Sequence, residues 1–343
     1  MSDMKPIKLS LCIPTYNRPE EFRRMFSKVV TQLTEDVEIV IRDDSNTSET
    51  KNIFDELVYN KNINKQYHVG EKIGLDSASL FLFEHAKGEF VWLFSDDDEL
   101  LDGGIEEVLA IINANSDLSA IWANFESDLP SGMAVKNKES GFFQSGSEVL
   151  EVTGTGIGLI STQIFRRKLG LLGFDIAKKH LVGFSFASTA VYLSVLAGPG
   201  KFYFLNGPYI LCHPTTPEEI ISITNRTGEI INNGFNVYGV EFHNIVREFD
   251  GKFDPKSVRK LLSVNFGCLW RGMVLGYAGG WDTPRNKRIQ MLKIYWSFWE
   301  CWIALSLLSM PRFLINFLYR IYKIFYTRRE FDFGRKIQIY LGL

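Results

Sequence analysis

Cysteine is scarce and scattered. The 343 residues hold four, Cys12, Cys212, Cys268 and Cys301, with no CxxC pair. Such spacing excludes a secreted disulfide framework and a cysteine zinc site, and it fits a reducing compartment. No apolar run reaches the roughly 20 residues that cross a bilayer as one helix. The nearest, residues 294–310, is interrupted by Glu300 and closed by Pro311. Residues 1–11 lack an apolar h-region and a cleavage motif, so export by a signal peptide is not expected. Internal repeats and low-complexity segments are also missing.

Aromatic side chains and charge asymmetry are plentiful. Phe alone contributes 27 residues, and many aromatics crowd into the last third. From Arg285 onward eleven Lys or Arg face three acids, a surplus of eight. With a net charge of −2, residues 1–284 therefore carry −10. An acidic body with a basic, aromatic tail points to a tail that meets an anionic surface. Within it, residues 312–326 read as an amphipathic helix lying at a membrane surface, with Phe313, Phe317 and Ile324 among Arg320 and Lys323; helices packed on the catalytic domain, or a span, are the alternatives. An anionic membrane surface is the partner expected. No nucleic-acid motif accompanies the basic residues, so nucleic acid is not expected.

Residues 8–14, 37–42, 90–94 and 118–125 are apolar, β-branched runs that read as strands. Helical patterns fill the gaps at 20–33, 47–59, 76–86 and 103–114. This alternation implies a mostly parallel sheet covered on both faces. Residues 127–155 read as a loop or short hairpin, 191–196 as helix and 201–211 as strand. Beyond residue 230 the pattern is helical, broken at 250–255, 279–284 and Pro311. The boundary is placed so that 1–228 form an α/β domain and 229–343 a helical region.

Ligands of parallel sheets sit beyond the carboxyl ends of strands, and three strand ends here carry polar clusters. The first is Cys12-Ile13-Pro14-Thr15-Tyr16-Asn17-Arg18-Pro19. A helix N-terminus beside an arginine suits a diphosphate, although a plain strand-to-helix turn would read the same way. The second is Arg42-Asp43-Asp44-Ser45-Asn46-Thr47. Its carboxylates can accept from a base or ribose, or serve only as helix caps. The third is Phe94-Ser95-Asp96-Asp97-Asp98-Glu99. Four consecutive acids repel one another, and a divalent cation bridging to a diphosphate would relieve that repulsion. A solvated acidic loop is the alternative.

Together these segments resemble the N-terminal half of the family-2 glycosyltransferases. Ile13-Pro14-Thr15-Tyr16-Asn17-Arg18 looks like the opening motif, Asp43-Asp44 the nucleotide-contacting acids, and Ser95–Asp98 the DxD-type metal site. Gly74, Asp76 and Gly88-Glu89-Phe90 fall where the family has its N-x-G segment and the lead-in to the metal strand. The resemblance covers residues 7–126 well and 150–212 faintly. It implies a GT-A fold, Rossmann-like with a mostly parallel sheet, that binds a nucleoside diphosphate sugar with Mg²⁺ or Mn²⁺. Pro14, Thr15, Tyr16 and Arg18 would line the nucleotide pocket and Asp43 would read the base. Asp76, Asp96 and Asp97 would complete the nucleotide-sugar site, with Asp97 and then Asp98 as metal ligands.

Departures accompany the match. Ser95 stands where the first Asp of the DxD is often found, Lys72 replaces the usual Asn, and Ser77-Ala78 replace an Arg-Asn pair. Residues 183–186, Gly-Phe-Ser-Phe, hold no carboxylate where inverting members carry a Glu-Asp base. Asp175 or His180 could substitute, or the chemistry could do without that base. His213, just after the 201–211 strand where family members often carry a polar loop over the diphosphate, joins Asp175 as a candidate catalytic group, and before Pro214 it has a plain structural alternative. The absent Glu-Asp and the Ser-Asp-Asp pattern resemble bacterial O-antigen transferases of the abequosyltransferase kind, which use a CDP-dideoxyhexose. That resemblance implies a lipid-linked oligosaccharide acceptor in lipopolysaccharide synthesis, and the basic, aromatic tail adds the expectation of a peripheral place on the cytoplasmic face of the inner membrane. Two other readings stay in view. A sugar nucleotidyltransferase would need a Gly-rich loop that residues 14–19 lack, and a non-catalytic membrane-bound scaffold would explain the incomplete motifs.

Overall fold

The computed structural model describes residues 6–127, 135–181, 186–213, 235–278 and 285–326. Strands β1 (Leu9–Thr15), β2 (Val37–Asp43) and β4 (Phe90–Leu93) are almost entirely buried. Their unbroken apolar runs are what a parallel strand needs when both of its faces are covered. Between them lie α1 (Pro19–Val29), α2 (Glu49–Leu57), β3 (Asn64–Val69) and α3 (Leu75–His85). Helix α1 buries Phe22, Met25, Phe26 and Val29, the i, i+3, i+4, i+7 stripe of a helix lying on a sheet.

The chain continues through β5 (Glu99–Leu100), α4 (Gly104–Ala114), β6 (Leu118–Ala123), β7 (Glu126–Ser127), β8 (Gly141–Phe143) and α5 (Gly146–Thr153). After two short 3₁₀ turns come β9 (Gln163–Arg166), α6 (Arg167–Leu171), α7 (Phe174–Ala177), α8 (Phe186–Leu196), β10 (Lys201–Leu205) and β11 (Ile210–Cys212). Eight strands form one sheet in the order β3-β2-β1-β4-β9-β6-β10-β8. The neighbours from β3 to β4 run parallel, as do β6 and β10, whereas β9 is antiparallel to both of its neighbours. A smaller sheet has the order β5-β11-β7.

The chain leaves β1 toward β2 on one side and returns through β4 on the other, so β1 and β4 flank a topological switch point. Thr15 pairs with Asp43 and Cys12 with Leu93, which brings the ends of β1, β2 and β4 to one edge. Three segments differ from the sequence reading. A helix, α5, occupies part of the expected loop at 127–155, because Ser145 caps it by accepting from the Glu148 N–H at 3.2 Å. The expected strand 201–211 is two strands, divided around Gly207 and Pro208. The apolar stretch 294–310 is not one helix either, as described below.

The chain divides into two compact units, Met1–Pro214 with Ile245–Val258, and Thr215–Asn244 with Arg259–Leu343. The C-terminal helices are α9 (Phe242–Arg247), α10 (Pro255–Ala278), α11 (Arg285–Tyr295), α12 (Trp299–Leu308) and α13 (Arg312–Tyr326), and the second unit holds the last three with most of α10. Its core stacks Phe266 on Tyr295, with ring centroids 4.2 Å apart, and buries Cys301, Ala304 and Leu308.

Candidate nucleotide-sugar site

The loop leaving β1 is shaped by Asn17, which holds a left-handed backbone (φ 53°) that asparagine tolerates better than most residues. Its N–H donates to Ser45 Oγ at 2.8 Å, and its Oδ1 accepts from the Asn46 N–H at 2.9 Å. The first and second strand-end clusters are thereby tied together. Pro19 then begins α1, a position where its missing N–H costs nothing. Pro14 and Thr15 are buried at the end of β1, and Tyr16 and Arg18 are partly exposed beyond it. The Lys72 ammonium lies 4.0 Å from the centre of the Tyr16 ring, a cation–π contact.

Both acids after β2 are buried and held. Asp43 accepts from the Ser45 N–H at 2.9 Å and from the Tyr67 hydroxyl at 2.6 Å. Asp44 accepts from Arg42 Nε at 2.6 Å and from the Ile73 N–H at 2.9 Å. Burial, then the bond to Asp43, raises the Tyr67 pKa, so the phenol stays a donor. Each Asp43 oxygen keeps a lone pair for a further donor.

The acids after β4 face different ways. Asp97 has a side chain 38% exposed, and one oxygen takes a bond from Arg18 Nη1 at 2.6 Å. Its other oxygen accepts from the Ser95 hydroxyl. Asp96 is buried, 3.5 Å from the same Arg18 nitrogen. Asp98 is buried and accepts from Ser161 Oγ at 2.5 Å. Ser161 also accepts from the Ser95 N–H at 3.0 Å, and its carbonyl takes the Trp92 indole N–H at 2.7 Å. One serine thus fixes the acid loop to the 3₁₀ turn ahead of β9. Burial, and after it the Asp97 charge, raises the pKa values of Asp96 and Asp98 to about 7 each.

Sequence reasoning missed Arg24, whose Nη2 donates to the Asp97 carbonyl at 2.9 Å and whose Nε lies 3.3 Å from Glu99. Glu99 in turn meets His213 Nε2 at 2.8 Å. His213 follows β11, which pairs with β5, so the small sheet carries it to the acid loop. Asp76 is buried and accepts from the Ala187 N–H at 2.9 Å, at the first turn of α8. Asp175 is exposed on α7, which packs on α8. Of the segment 183–186, only Phe186 lies among the described residues.

Among the described residues no three His, Cys, Asp or Glu side chains converge as a cation cage. Magnesium-type sites need only one or two carboxylates when a diphosphate supplies further oxygens. Asp97, the one loop aspartate turned to solvent, fits that requirement. Arg18 spans the switch point from the β1 end to the β4 end and places a positive charge where a diphosphate would lie.

This arrangement has relatives. Residues 10–169 match the family model described as Glycosyl transferase family 2. A Campylobacter jejuni protein, the GalNAc(5)-diNAcBac-PP-undecaprenol beta-1,3-glucosyltransferase, is 30% identical over 126 residues, covering 34% of this chain and 38% of the relative. Abequosyltransferase RfbV of Salmonella typhimurium is 24% identical over 225 residues, covering 60% and 66% respectively. The chain thus spans less than two thirds of either relative's length. Two solved structures share the fold at 14% identity and a TM-score of 0.50 each. S. aureus TarS 1-349 with UDP-GlcNAc covers 81% of this chain and 93% of its own. The mannosyltransferase PcManGT of Pyrobaculum calidifontis, with GDP-Man and Mn²⁺, covers 92% and 90%. Residues 10–169 thus match the family-2 glycosyltransferases, and the chain has a GT-A-like α/β fold with a mostly parallel central sheet and a helical C-terminal part.

Proposed function

We propose that the protein transfers a glycosyl group from a nucleoside diphosphate sugar to a saccharide carried on a lipid, as in bacterial surface polysaccharide synthesis. The observation that carries this reading is the Arg18–Asp97 pair, which joins two strand-end motifs across the switch point. Pro14, Thr15 and Tyr16 form one wall of the nucleotide pocket. Asp43, oriented by Tyr67 and Ser45, accepts from the base. Asp96 sits behind Arg18 and moderates its charge. A Mg²⁺ or Mn²⁺ held by Asp97, with Asp98 behind it, would neutralise charge building on the departing diphosphate. Arg18 supplies the complementary charge from the chain itself. The lipid-linked acceptor is proposed from the Campylobacter relative, whose name specifies an undecaprenol-linked one. The match to an abequosyltransferase supports a deoxyhexose donor.

The acceptor hydroxyl must lose a proton. His213, oriented by Glu99 at the acid loop, is assigned that role ahead of Asp175, which is exposed on α7. His213→Ala should lower kcat about 10²-fold, within the usual range for a general base, while leaving the donor Kd nearly unchanged. An unchanged kcat would move the role to Asp175. The function itself is tested by incubating the protein and Mn²⁺ with labelled nucleotide sugars and bacterial lipid extract. Label should move into the butanol-soluble fraction. Label that appears only as free sugar, or stays in the nucleotide with every donor, would contradict the assignment.

A further inference from the structure

The helical unit carries large apolar side chains that its own core does not use. Trp299, Trp302 and Ile303 form one outward stripe of α12 and are 68%, 54% and 38% exposed. Phe313 and Phe317, one turn apart on α13, are 75% and 57% exposed. The opposite face of α12 buries Cys301, Ala304 and Leu308, so the helix has a packed side and an uncovered side. Exposed rings clustered in this way mark a surface that meets something apolar. The Trp302 indole N–H already donates to the Trp296 carbonyl at 2.9 Å, so entering an apolar layer would strand no donor there.

The shape excludes a simple span. Residues 296–298 separate α11 from α12, and α12 meets α13 at a bend of 117° around Pro311. Among the described residues no single helix is long and apolar enough to cross a membrane. The charge selects the occupant. Arg312 and Arg320 flank the exposed phenylalanines of α13, and the sequence from residue 285 onward carries a surplus of eight positive charges. A second copy of this chain would set basic surface against basic surface, whereas an anionic leaflet complements it.

We infer that α12, the Pro311 bend and α13 form an interfacial anchor, its aromatic rings set among the headgroups of anionic lipid and its arginines on the phosphates. This rests on the proposed function only in that a lipid-linked acceptor would lie in the same leaflet.

The test is flotation of the full-length protein with phosphatidylcholine vesicles, with and without 30% phosphatidylglycerol (~30%, enough to give an anionic surface), in the absence of donor and acceptor. The protein should float with the anionic vesicles, and high salt should weaken binding without abolishing it, because the rings add a salt-insensitive part. Trp299→Ser with Phe313→Ser should weaken binding on the order of tenfold or more, from the apolar area lost. Circular dichroism and donor affinity should stay at wild-type values, since both side chains point outward. Three results would each overturn the anchor: no affinity for anionic vesicles, wild-type affinity in the double variant, or retention in alkaline carbonate as for a spanning helix. A double variant that turns a dimer into a monomer while vesicle binding persists would assign the face to self-association instead. Because no turnover is measured, failure here leaves the proposed activity standing, and a failed transfer assay leaves the anchor standing.

Discussion

Asp97→Ala is expected to lower glycosyl transfer by about 10³-fold, or ~4 kcal/mol of transition-state stabilisation, with little change in folding stability. Asp97 is the one loop aspartate both exposed enough to meet a cation and placed opposite Arg18. Removing it takes away the carboxylate that would hold a cation on the diphosphate, so metal and donor binding should fall together. Its pair with Arg18 is more than one-third exposed on both sides, and such pairs contribute about 1 kcal/mol or less to stability. Thermal melting should therefore stay close to wild type while turnover collapses. Asp97→Asn keeps the shape and removes the charge, and it should be nearly as inactive. Activity retained in either variant, or unaffected by EDTA, would remove the cation from the account.

Arg18→Ala should separate two affinities that a purely structural residue would move together. Arg18 neutralises Asp97 and lies near Asp96. A diphosphate entering the switch point would take over the guanidinium, and a cation would take over Asp97. Loss of charge-assisted bonds to phosphate should weaken donor binding by about 10- to 100-fold, or ~1.5–3 kcal/mol. Mn²⁺ alone should bind a few-fold more tightly, because its ligand has lost a competitor. Arg18→Lys should recover part of the donor affinity, since a single ammonium cannot reproduce the planar fork. Calorimetry with Mn²⁺, and separately with donor plus Mn²⁺, reads both. Donor affinity unchanged in Arg18→Ala would put the diphosphate elsewhere.

Much of the architecture was legible because it rests on local signals. Central strands such as Leu9–Thr15 are continuous apolar runs, and α1 carries a clean helical stripe. Strand β3, Asn-Lys-Gln-Tyr-His-Val, was not anticipated, because an edge strand open on much of its surface needs no apolar face. The α5 cap was readable in principle, since Ser145 and Glu148 stand at capping-box spacing; the glycines around them argued for a loop.

The same division holds at the site. Arg18, Asp43 and the acids from 96 to 98 were found as strand-end clusters. Arg24, Tyr67 and Ser161 were not, since each reaches the site only once β4 lies beside β1, β3 beside β2 and the 160–162 turn beside β4. Asp76, read from its place in the motif as part of the nucleotide-sugar site, also meets the Ala187 N–H, a partner 111 residues away that no local pattern points to.

The most direct test of a nucleotide-sugar site at these strand ends is calorimetric titration of the full chain with CDP-, UDP-, GDP- and dTDP-sugars, each with and without Mn²⁺. At least one donor should bind with a Kd at or below about 10⁻⁴ M, near the range in which such substrates work. Binding should weaken sharply when the cation is withheld. No heat from any of the four nucleotides, or affinity indifferent to the cation, would contradict the account.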